Sequence, residues 1–264
     1  MEKTHRFVKL NIFRLYRGKK SWYNVHTAKE VLMEEKKTKN DLVMPVIMGA
    51  AAVLITAAGI VFRQSPLRIL PLYVSLVISL MQSRVSRYAP LIGSVNSLLY
   101  AAVYAYYHLY ASMAYAALVS CPLQVITFIR WSRHPWRGST ILKKLTTKQR
   151  IAVSAGSAAV WLAVVVVLNK VGSAHSLLDT TTTILGILAT VLTMLSYIEY
   201  TVLMLAGQIC SIGLYIAMLG TNPEQLTYLI YSVYALICTT AAFVRTREIY
   251  RMQQKTSDEK GEMK

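Results

Sequence analysis

The sequence is short of acidic residues: 12 Asp and Glu stand against 29 Lys and Arg, a formal net charge of +17. Charged residues of both signs make up only 16% of the chain, less than a soluble domain of this size carries. There are three cysteines, Cys121, Cys210 and Cys238, all inside apolar runs. No ligand spacing links them, so they read as small packing residues rather than a disulfide framework or a metal site. GxGxxG, Walker, HExxH and nucleophile-elbow sequences are all missing, so neither an enzyme nor an ATP-driven pump is expected. His108, His134 and His175 fall near the ends of apolar runs, where a lone His is ordinarily solvated. No cofactor is expected. No secretory signal stands out, because a polar region of about 40 residues precedes the first apolar run.

Apolar residues fill that space. They make up 55% of the chain, with a mean hydropathy of +0.41. Eight apolar segments follow one another, roughly at 42–62, 69–83, 88–108, 111–130, 151–171, 177–196, 198–219 and 225–244. Most reach about 20 residues, the length that crosses about 30 Å of hydrocarbon. Runs so long and uncharged exclude nucleic-acid binding, the usual alternative for so basic a chain. The expected class is an all-α, polytopic membrane protein with the lipid bilayer as a partner.

The basic residues are placed unevenly. Eleven precede Asp41, seven lie from Arg130 to Arg150, and six follow Phe243. With the N-terminus inside, the outer connections hold only Arg63, Arg68 and Lys170. This bias predicts an even number of spans with both termini cytoplasmic. Residues 1–41 then form a cytoplasmic basic segment, either a short amphipathic helix or a basic tail. The membrane domain is expected over 42–246, and a cytoplasmic tail over 247–264.

A constant offset of 115 residues lays Arg68–Arg130 on Thr183–Arg245, with Leu99-Tyr100 on Leu214-Tyr215 and Phe128 on Phe243. The natural parse is two three-helix repeats, about 68–131 and 177–246, joined by a linker helix at about 150–171. The 42–62 segment is an extra first helix. Four spans separate equivalent helices, so the two three-helix bundles are parallel.

Several polar residues interrupt the apolar runs, and such residues are functional candidates by default. Asp179 and Glu199 read either as gating groups or as helix-end residues in wet headgroups. Asn96 and Tyr100 share one helical face, as do Gln208, Ser211 and Tyr215. These amides and tyrosines either bind a ligand or bond helix to helix. Pro122 should kink its helix, and Gln124 could partner the freed carbonyl or reach the pathway.

Asp179, the apolar helix after it, Tyr197-Ile198-Glu199, Gln208 and Ser211-Ile212-Gly213-Leu214-Tyr215 together resemble the PnuC family of bacterial nicotinamide riboside transporters. That family typically has Glu, Trp-x-x-Trp, Asn and Tyr at this spacing. Here Thr201 and Met204 occupy the two Trp positions and Gln208 the Asn position, while Tyr215 matches. Further similarity runs from Asn96 to Trp131 and from Tyr231 to Phe243, so that it covers roughly residues 68–248. The resemblance implies a SWEET-like three-one-three architecture and a plasma-membrane transporter for a nicotinamide riboside-like vitamin precursor. It also implies facilitated diffusion by alternating access, and it suggests a homotrimer. Tyr231 and Tyr234 would add a second wall to a pocket formed by Asn96, Tyr100, Gln124, Thr201, Met204, Gln208, Ser211 and Tyr215. Two other readings stand beside it: a transporter of the same fold for thiamine or another nucleoside-like vitamin, and a membrane scaffold without transport.

Overall fold

The computed structural model describes residues 43–106, 108, 113–170 and 176–262. The chain divides into two units, Met1–Val46 and Ile47–Lys264. Only residues 43–46 of the first unit are described, and the expected basic segment 1–41 lies outside the described residues.

Eight α-helices form among the described residues. They are α1 (Val43–Val61), α2 (Pro66–Ser83), α3 (Ala89–Tyr106), α4 (Cys121–Arg133), α5 (Thr147–Lys170), α6 (Ser176–Met194), α7 (Tyr200–Leu219) and α8 (Leu226–Glu262). Six of them are long and apolar enough to cross a membrane. The other two are α3, which carries Asn96 and several Tyr and Ser, and the short α4. A six-residue π-helix, Tyr115–Ser120, leads into α4 just before Pro122. Proline has no N–H to give the preceding turn, and a wider turn absorbs the missing bond. The sequence predicted a kink there; the chain makes a π turn.

Packing follows a closed cycle. The helix α2 contacts α3, α3 contacts α4, α4 contacts α6, α6 contacts α7, α7 contacts α8, and α8 returns to α2. Each triplet, α2–α4 or α6–α8, is continuous within itself. The triplets meet at two seams, α4 against α6 and α8 against α2. The linker α5 packs on α6 outside this ring, with Trp161 Nε1 donating to Thr181 Oγ1 at 2.9 Å. Few of its side chains are buried, because its surface faces the place where lipid would be. On α1, Thr56 bonds the Tyr73 hydroxyl at 2.6 Å, and Gly59 lets Ile69 of α2 approach its backbone.

The two triplets turn their first corner in the same way. After α2, Val85 N–H bonds Gln82 O and Ser86 N–H bonds Met81 O, with Val85 at φ 52°. After α6, Ser196 N–H bonds Thr193 O and Tyr197 N–H bonds Leu192 O, with Ser196 at φ 63°. Both are Schellman motifs with a non-glycine residue in the left-handed position. Val85 and Ser196 are 111 positions apart (196 less 85), not 115. The helix starts Ala89 and Tyr200 differ by the same amount. In this corner register Tyr215 corresponds to Tyr104, not to Tyr100. The offset of 115 rested on the Leu-Tyr pair of the second helices and on Phe128 and Phe243 of the third, and the two corners do not share it.

The connection from α4 to α5 is a short hairpin, β1 (Pro135–Trp136) against β2 (Ser139–Thr140). It ties both corners together. Arg87 N–H donates to Gly138 O, Lys143 N–H to Ser196 O, and Ile198 N–H to Lys143 O. The segment expected as a cytoplasmic tail from residue 247 is helical and continues α8 to Glu262. Its Gln253 accepts from Leu142 N–H and donates to Thr140 O. Beneath these bonds Val85, Trp131, Leu142 and Ile249 form an apolar cluster, which explains why α8 stays helical past the last apolar run.

Candidate functional site

A cavity of about 360 Å³ opens at the α4–α6 seam, between the two triplets. It lies at the end of the ring that carries the two Schellman corners. Gln124, Thr127 and Trp131 of α4 face Gly186, Thr190 and Thr193 of α6 across it. Helix α7 closes the back with Tyr200, Met204, Gln208 and Ser211. No lining residue is charged.

The polar groups differ in how far they are already engaged. Gln124 Nε2 donates to Ser97 Oγ at 2.9 Å and to Ser120 Oγ at 3.3 Å. The hydroxyls of Thr127, Thr190 and Thr193 donate to carbonyls one turn back, which leaves their oxygens able only to accept. Gln208 and Ser211 make no side-chain hydrogen bond among the described residues and border the open space. A neutral amide facing a cavity offers both donors and an acceptor to whatever enters.

Trp131 and Tyr200 supply the aromatic surface. Trp131 is 3% exposed, and its Nε1 donates to Thr193 O at 2.9 Å across the seam. Its ring meets that of Tyr200 at 63°, with centroids 6.4 Å apart. Neither residue was singled out in the sequence as a site candidate. Trp131 is near the end of its apolar run, and only the corner geometry brings it beside α7.

The other expected residues fall into three groups. Thr201 is 1% exposed, donates to Ile198 O, and does not line the cavity. Asn96 lies between α3 and α2; its Nδ2 donates to Ser75 Oγ at 2.9 Å, while its Oδ1 is buried with no partner. Tyr100 stacks on Tyr104, and Tyr215 on Tyr228, toward the opposite end of the ring. Tyr231 bonds Ser79, and Tyr234 donates to Leu76 O, so both clasp α8 to α2. That seam is tied again at its end, where Arg68 pairs with Glu224 and Gln64 Nε2 donates to Glu224 O at 2.7 Å.

The two acids are both at helix ends. Asp179 is exposed in the first turn of α6. Glu199 sits just before α7, pairs with Arg150 Nη2 at 2.7 Å and accepts from Leu145 N–H. It fastens the start of α5 to the second corner. No group of three or more His, Cys, Asp or Glu that could hold a metal occurs among the described residues.

Three comparisons bear on this arrangement. The family model described as nicotinamide mononucleotide transporter matches residues 65–246. A nicotinamide riboside transporter PnuC from Neisseria mucosa is 32% identical over 170 residues, covering 59% of this chain. The chain spans 64% of that relative's length. A crystal structure of the vitamin B3 transporter PnuC superposes with a TM-score of 0.65 at 24% identity, covering 80% of this chain and 92% of the other. That likeness carries the fold: a polytopic, helical membrane protein of two parallel triplets joined by a linking helix. With the family model matching residues 65–246, well over half of the chain, the chain belongs to the PnuC family of membrane transporters.

Proposed function

We propose that this chain carries a nicotinamide riboside-like pyridine nucleoside across the cell membrane by facilitated diffusion. The observation that carries the reading is the uncharged cavity at the α4–α6 seam, with an indole and unengaged amide and hydroxyl groups on its walls. A flat pyridinium suits an uncharged cavity bordered by the largely buried rings of Trp131 and Tyr200, since nearby aromatic rings favour a cation. Ribose hydroxyls suit Gln208 and Ser211. A phosphate does not suit the cavity, because burying that charge without a cationic partner is costly. The nucleoside is therefore favoured over the mononucleotide named in the family's description.

Within this proposal Gln124, Met204, Gln208 and Ser211 contact the substrate. Tyr100 and Tyr215 lie toward the other end of the ring, while Asn96, Tyr231 and Tyr234 hold α3 and α8 to α2. Alternating access follows from the unequal seams: α2–α8 is clasped by hydrogen bonds and α4–α6 holds the cavity, so the triplets rock about the first and part at the second. The Lys/Arg bias places the corners, the hairpin and both termini in the cytoplasm, so the cavity described is the inward-facing one. Residues 42–246 form the transport domain. A homotrimer, suggested by the family resemblance, is part of the same proposal and is checked by native mass spectrometry.

A second reading, thiamine or another nucleoside-like vitamin, draws on Met204, a cavity position without the family's ring. Calorimetry of the purified protein with nicotinamide riboside, its mononucleotide, thiamine and riboflavin decides between them. Tighter binding of nicotinamide riboside than of the other three supports the proposal. Preference for thiamine or riboflavin selects the second reading, and no binding of any leaves a scaffold. In proteoliposomes, concentrative uptake driven by a proton or sodium gradient would sink facilitated diffusion.

A further inference from the structure

A second cavity, of about 670 Å³, lies outside the ring between the start of α5, the start of α7 and the extension of α8. Four cations border it: Lys144, Arg150, Arg247 and Arg251. The one acid, Glu199, is engaged by Arg150 and by the Leu145 N–H. Lys144, Arg247 and Arg251 form no ion pair with a carboxylate among the described residues. Arg247 is held in place by the Phe243 ring, 3.9 Å from its guanidinium carbon. Three uncompensated cations on a concave, partly apolar surface attract an anion.

The cavity continues into an apolar face. Val202 borders it, and Ile209 and Ile216 follow at steps of seven along α7, all three exposed. Steps of seven keep a stripe on one side of a helix. That stripe points away from the ring and so toward the acyl chains of a bilayer. A basic basket at the membrane surface below an apolar stripe matches a phospholipid in both its parts.

We propose that this cleft binds one anionic phospholipid, its phosphate against Lys144, Arg247 and Arg251 and its acyl chains along Val202, Ile209 and Ile216. Such a lipid fills the gap between α5 and α8 and fastens the linker to both triplets. Basic pockets between spanning helices on the cytoplasmic side take anionic headgroups for the same electrostatic reason. The site is separate from the substrate cavity, and the inference does not depend on which vitamin is carried.

The test is native mass spectrometry of the full chain released from nanodiscs of mixed phosphatidylglycerol and phosphatidylcholine. Retention of phosphatidylglycerol over phosphatidylcholine is expected. The combined variant Lys144→Gln, Arg247→Gln, Arg251→Gln should lose it, and Arg251→Gln alone, an exposed change, should lower retention about fivefold. Equal retention of the two lipids by the parent overturns the proposal. So does unchanged phosphatidylglycerol retention by a combined variant that melts at the parent's temperature. If instead glycerol phosphate stabilises the lipid-free parent but not the variant, and phosphatidylglycerol is not retained, the cleft takes a soluble phosphate and the lipid assignment falls.

Discussion

Gln124 lies across Gly93: a Cβ on that glycine would stand 1.6 Å from Gln124 Oε1 and 2.8 Å from its Cδ. The contact joins α3 to α4 and sets where the amide sits beside the cavity. Gly93→Ala must push the amide away from Ser97 and Ser120. Overpacking of this kind costs about 1–3 kcal/mol. The expected outcome is a lower melting temperature together with weaker substrate binding, read by thermal unfolding and calorimetry on the same sample. Unchanged binding would remove Gln124 from the contact set.

The two positions where the family carries Trp are not equivalent in space. Met204 lines the cavity, and Thr201 is buried with no room beside it. Met204→Trp should strengthen binding of a flat ring by about 0.5–1.5 kcal/mol beyond the area gained. Thr201→Trp should instead destabilise the protein by about 1–3 kcal/mol. Calorimetry on the first variant and thermal unfolding of the second separate the two effects.

Gln208 has no side-chain partner among the described residues, so removing it should cost the fold little. Gln208→Ala should leave the melting temperature close to the parent's. It should weaken substrate binding by about 1–3 kcal/mol, the cost of leaving ligand groups unpaired. Full binding by a folded variant would show that the substrate does not use this amide.

Sidedness can be read from two exposed turns. Arg137 lies in the hairpin and Asn222 in the turn between α7 and α8, both exposed. Cysteines at the two positions should react with an impermeant thiol reagent from opposite sides, Arg137→Cys only after the membrane is opened. Ser139, in the same hairpin, is buried and would not report. Labelling of both from outside would defeat the orientation with both termini inside.

The helices were legible because hydrocarbon demands about 20 apolar residues per crossing, and that length survives in composition alone. Among the described residues, each of the eight apolar segments falls on helix, the fourth on a π turn followed by α4. The three-one-three parse was legible for the same reason, since it needs only the order of spans. The register of the repeat was not. It is set at Val85 and Ser196, where a β-branched and a polar residue adopt a conformation that sequence patterns associate with glycine. Of the candidate cavity, the shared placement of Gln208 and Ser211 on one helix face was legible, because helical spacing fixes that relation. Relations across helices were not legible: Trp131 reaches the cavity only because α4 packs on α6, and Glu199 meets Arg150 only because the hairpin folds back on the corner.

The partnership of Gln253 with the hairpin has a consequence for biosynthesis. Residues 140–142 emerge from the ribosome more than a hundred residues before the side chain that holds them. Until α8 is complete, the hairpin has its bonds to the two corners but not its last anchor, and Trp131 lacks Ile249 above it. The end of the ring that carries the two corners is thus closed by α8, the last helix among the described residues. A chain that stops between the last span and Gln253 would insert all its apolar segments and still leave this end unlatched.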